Sequence, residues 1–99
     1  MGSEQFFNVV SGKTAREAFV FAHNEACYEH GHGGYTGSIA EKHDFAVIDR
    51  VKTSDEAHNL AFKLLEDCDP RVDDKWAPAA CIEILTSPKK FLFFGWAAS

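Results

Sequence analysis

Two short stretches constrain this chain more than anything else in it: Lys13-Thr14-Ala15-Arg16-Glu17-Ala18 and Lys52-Thr53-Ser54-Asp55-Glu56-Ala57. Each follows a segment rich in β-branched and aromatic residues, and each opens a run with apolar residues at helical spacing. In each, the Thr hydroxyl can take an orphan N–H of the first helical turn. The Glu three residues on can reach back to another, completing a capping box. The chain must therefore pass twice from strand to helix. The likeness of the two units fades outside the caps, so shared capping rules explain it more simply than a duplication.

The first helix is expected from Thr14 to about His30, with Gly31 as its stop. Its buried stripe is Ala15, Ala18, Phe19, Ala22 and Ala26, small enough to lie close to a sheet. The second helix carries Ala57, Leu60, Ala61, Leu64, Leu65 and Cys68. Strands are expected at Phe6 to Val10, Asp44 to Val51, Ala80 to Leu85 and Phe91 to Trp96, the last two forming a hairpin over Ser87-Pro88-Lys89. A further strand is conceivable around Tyr35 to Ala40. The expected fold is α+β in the order β-α-β-α-β-β: a two-layer single domain, residues 1–99, with two helices on one face of a four- or five-stranded sheet. The last strand is apolar on both faces, and in two layers one of those faces needs another cover. A second copy of the chain would supply it, so a homodimer is expected; the alternative is a central strand with Phe91 and Phe93 partly exposed.

Composition narrows the function. Net charge is −5 with no basic run, which argues against nucleic acid as a partner. There is no apolar run long enough to span a bilayer. Three cysteines without a CxxC pattern read as free thiols in a reducing cytoplasm.

The chemistry-bearing residues concentrate in Glu29-His30-Gly31-His32-Gly33-Gly34-Tyr35-Thr36-Gly37-Ser38 and on to Lys42. Glycines permit close approach of backbone to a ligand, and successive free N–H groups make an anion site. His30, His32, Gly33, Gly34, Tyr35, Thr36, Ser38 and Lys42 are the candidate ligand-binding residues, for a phosphorylated small molecule or nucleotide. A tight helix-to-strand connection would use the same glycines for geometry alone. Were the chain an enzyme, His32 or His43 would be the acid–base group, oriented by Glu29, Glu41 or Asp44. Were it to hold a metal, His23, Cys27 and His30 are in line on the helix, although the spacing matches no standard zinc pattern. No cofactor is called for. Gly12-Lys13-Thr14 ends like a phosphate-binding P-loop, but Phe7 stands where that motif needs Gly. The acidic run Asp67 to Asp74 lacks the Gly of a calcium loop.

The combination of GHGGYTGSIAEK with a terminal FLFFGWAAS resembles a small protein type of phage and bacterial genomes. The resemblance implies an accessory protein and brings no fold, substrate or catalytic residue with it. Three functions stand as expectations. The first is a small cytoplasmic binding protein using the Gly-rich loop. The second is a protein–protein module or phage-encoded inhibitor acting through the aromatic C-terminal strand. The third is a small enzyme with a His acid/base.

Overall fold

The computed structural model describes residues 3–30, 38–69, 72 and 78–98. Elements follow the expected order: β1 (Ser3–Ser11), α1 (Ala15–His30), a 3-10 turn (Ile39–Glu41), β2 (Phe45–Val51), α2 (Ser54–Glu66), β3 (Ala79–Ile84) and β4 (Lys90–Ala98). Both helices begin at the expected caps. Thr14 Oγ1 accepts from Glu17 N–H at 3.1 Å, and Thr53 Oγ1 from Glu56 N–H at 3.2 Å. Among the described residues no helix is long and apolar enough to cross a membrane.

The four strands form one mixed sheet in the order β1-β4-β3-β2. β4 runs antiparallel to both its neighbours, while β2 and β3 are parallel and joined through α2. That connection needs a helix, because parallel neighbours cannot be joined by a tight turn. α1 has the longer task of linking β1 at one edge to β2 at the other.

The class and element order are as the sequence reads; the layering is not. Alternation along β4 sends Phe91 and Phe93 into a cluster with Ala18, Phe19, Ala22 and Ala26 of α1. Leu92 and Phe94 enter a second cluster with Ala57, Ala61 and Leu65 of α2. The helices therefore lie on opposite faces, in three layers rather than two. The reason is the sequence of the two inner strands. β3 and β4 are apolar at odd and even positions alike, and strands of that kind need cover on both sides. The chain's own second helix gives the cover that a partner copy had been expected to give, which removes the argument for a homodimer.

Two details also differ from the sequence reading. Ser38 caps a 3-10 turn and Ile39 and Ala40 belong to it, so that part of the proposed fifth strand is not a strand; residues 35–37 lie outside the described residues. Cys68 is exposed and does not join the buried stripe of α2. It sits just past the helix with φ +54°, its N–H bonding Leu65 C=O, while Asp69 N–H bonds Leu64 C=O. These two bonds make a Schellman ending with Cys where Gly is usual. Gly95 has φ +148° and lies opposite Phe6 on β1, whose ring would be 3.6 Å from an added Cβ.

Candidate functional site: a groove between the free edge of β1 and helix α1

β1 is an edge strand, and α1 packs over its face from the cluster side of Phe6 and Val10. Between the strand and the helix flank runs a groove of about 510 Å³. Its strand wall is Asn8 to Ser11. Its helix wall is Phe21, Ala22, Glu25, Ala26 and Glu29, and Ser38 closes one end. Phe21, Glu25 and Glu29 follow one another at four-residue steps, so the helix sets them in one column beside its buried stripe. Phe21 is 60% exposed, so its ring is open to solvent along the groove wall. Glu25 and Glu29 are the charged residues of the lining, and both are acidic.

The strand wall carries unpaired backbone. Gly12 N–H donates to Lys89 C=O at 3.2 Å, just beyond the β1–β4 ladder and in its register. Antiparallel pairs alternate between residues that bond their neighbour and residues that face away. Even-numbered residues of β1 thus bond to β4. The N–H and C=O groups of Gln5, Phe7, Val9 and Ser11 point to the open edge, where no strand among the described residues pairs with them.

The candidate residues read from the sequence fare unevenly. His32, Gly33, Gly34, Tyr35 and Thr36 lie outside the described residues, as does the His30 side chain. Ser38 caps the 3-10 turn, its hydroxyl accepting from Ala40 N–H at 3.2 Å. Lys42 is only 3% exposed and engaged with its surroundings, so its charge is not offered to solvent. His43 is exposed, with its ring 6.4 Å from that of His23. Asp44, one of the carboxylates proposed to orient it, accepts from Phe45 N–H at 2.8 Å. Glu29, another, lines the groove.

His23 and Cys27 do meet, Nδ1 to Sγ at 3.8 Å, beside Phe19. His23 Nε2 is buried and has no hydrogen-bond partner among the described residues. Among those residues no group of three or more His, Cys, Asp or Glu is placed to hold a metal ion. Cys81 is fully buried, and burial, with Glu83 nearby, pushes its thiol up to about 12. It is a packing residue, since the thiolate is the reactive form. A second hollow, of about 500 Å³, lies at the start of α1 beside Gly12, Lys13 and Lys89, with Glu17 also in its wall.

The aromatic C-terminal strand is not a surface. Phe91, Phe93 and Phe94 are buried at the centre of the sheet, so the interaction reading cannot use them. Sequence reasoning missed the groove because it followed the buried stripe of α1 and not the column next to it. The signal available was Phe21 outside that stripe, in line with two acids.

No family model, no curated protein and no solved structure matches this chain.

Proposed function

We propose that the chain is a small protein-interaction domain whose docking face is the groove between β1 and α1. The observation that carries this reading is the meeting of an exposed aromatic ring with an unpaired strand edge across one hollow. An open edge is a ready template for another chain, and folds usually blunt it. The reading keeps the interaction class but moves it from β4 to β1. Such a domain fits the accessory role that the resemblance to phage and bacterial proteins implies.

The test is site-specific photo-crosslinking in the producing cell. A benzophenone side chain at position 21 should join a second polypeptide. The same group at position 28 should not, although Tyr28 is 91% exposed on the same helix. Equal crosslinking from both positions would contradict a docking face in the groove.

A second reading, a phosphorylated small molecule held by the Gly-rich loop, is favoured by one observation: Ser38, at the end of that loop, also lines the groove. Against it stand Glu25 and Glu29, which repel phosphate there. A thermal-shift panel of nucleotides and sugar phosphates separates the two. A shift in wild type that disappears in Tyr35→Ala supports the loop, by mass action on the folded state. The absence of any shift removes that reading.

A further inference from the structure

We infer that the groove takes a basic, extended peptide segment of a partner protein as an added fifth strand along β1. This rests on the interaction-domain reading and names the occupant's chemistry.

Three observations point to it. First, the outward N–H and C=O groups of Phe7 and Val9 stand at the two-residue period that an incoming strand requires. The register of β1 with β4 is unbroken over its whole length, so no bulge interrupts the edge.

Second, an added strand shows its side chains alternately to the two faces. On the α1 face they meet Glu25 and Glu29. On the α2 face they meet Val9, which is 42% exposed, and Phe62, whose ring lies 4.9 Å from that of Phe7. Lys or Arg alternating with Val, Ile or Leu satisfies both.

Third, charge selects against a second copy. Two β1 edges pairing antiparallel across a two-fold axis would set both α1 helices side by side on one face. Glu25 and Glu29 of each copy would then approach those of the other, and like charges there oppose pairing.

The test uses the full chain and a short fluorescein-labelled peptide in which Lys and Val alternate, read by fluorescence anisotropy. Glu- and Ser-substituted versions of the peptide serve as comparisons. The Lys peptide should bind, weaken with added salt, and lose about tenfold in affinity in Glu25→Gln/Glu29→Gln. Val9→Pro should also abolish binding. It removes an outward N–H and leaves the bonds to β4 intact, the one arrangement in which an edge tolerates Pro. Circular dichroism checks that the variant folds, and the glutamine pair tests the proposal independently should it not.

Binding of the Ser or Glu peptide as tightly as the Lys peptide, still lost in Val9→Pro, would overturn the basic occupant and keep the interaction domain. Binding of no peptide, with position 21 still crosslinking to a protein, would overturn strand addition alone. A concentration-dependent dimer lost in Val9→Pro would replace the partner with a second copy. Binding of the Lys peptide that neither variant weakens would overturn the site.

Discussion

The two edges of the sheet are built on opposite plans. β2 is interrupted by a bulge between Val47 and Asp49, and it carries Asp49 and Arg50. Two of its backbone donors are already taken by neighbouring side chains: Phe45 N–H by Asp44, and Arg50 N–H by Asp49 at 2.7 Å. Bulges and charges are the usual means by which an edge refuses another strand. β1 has neither device along Phe6-Phe7-Asn8-Val9-Val10. It is the longer edge, regular, uncharged through its middle, and flanked by an exposed Phe. One edge is closed by its own sequence and the other is left open. The contrast teaches that the open edge is a feature to be explained by use.

Ways to break or sharpen this contrast run from large to small. Phe93 on β4 is fully buried between α1 and the sheet, in ring contact with Phe19 and Phe45. Phe93→Ala should cost about 3–5 kcal/mol in urea unfolding, loosening both edges together, because it empties the layer they share. A loss below about 1 kcal/mol would show that the core does not close on this ring.

Gly95→Ala should act on one edge only. Its positive φ strains any Cβ, at a cost of about 1–3 kcal/mol. Because Gly95 pairs with Phe6, amide exchange should quicken in β1 before β2. Equal quickening at both edges would contradict that division.

The closed edge has its own clamp. Glu83 of β3 meets Arg50 at 2.7 Å and Lys89 at 2.9 Å. The hydrogen bond from Lys89, with the charges of Lys89 and Arg50, holds the Glu83 carboxyl below its usual value. A lowered folded-state pKa contributes stability above the unfolded value and loses it as pH falls through the folded one. Wild type should therefore melt above Glu83→Gln at neutral pH, with the gap closing as pH drops below 4.5. Both cations are partly exposed, so the gap corresponds to about 1 kcal/mol or less. A gap that widens in acid would reverse the sign.

Cys68→Gly touches neither edge and sets the baseline. Glycine fits the left-handed position better, so the variant should gain a few tenths of a kcal/mol up to about 1 in thermal unfolding. A loss there would mean that the Cys68 side chain contributes contacts its exposure does not reveal.

Much of this fold was legible in the residues. Thr14 with Glu17 and Thr53 with Glu56 located both helices, since capping is local chemistry. The stripes of both helices and the hairpin after Ile84 were equally readable. The layering was not, although its sign was present: β3 and β4 apolar on both faces call for two covers, and the second helix was the nearer supply. Cys68 was read into the stripe of α2 because Cys stands where Gly would have marked the left-handed stop. The groove was harder still. Strand order decides which edge is open, and no local pattern in β1 states that its neighbour is β4 alone. The loop from His30 to Ser38 drew attention through its composition. What the described residues place together is instead Phe21, Glu25 and Glu29 against a bare strand.

The central claim is that β1, and not β2, is the edge that receives a partner. Residue-resolved amide hydrogen exchange by NMR, with and without the Lys-Val peptide, tests it most directly. The account predicts slowed exchange at Phe7 and Val9 when the peptide is added, with the free edge of β2 unchanged. Slowing along β2, or at neither edge while the peptide is bound, would contradict it.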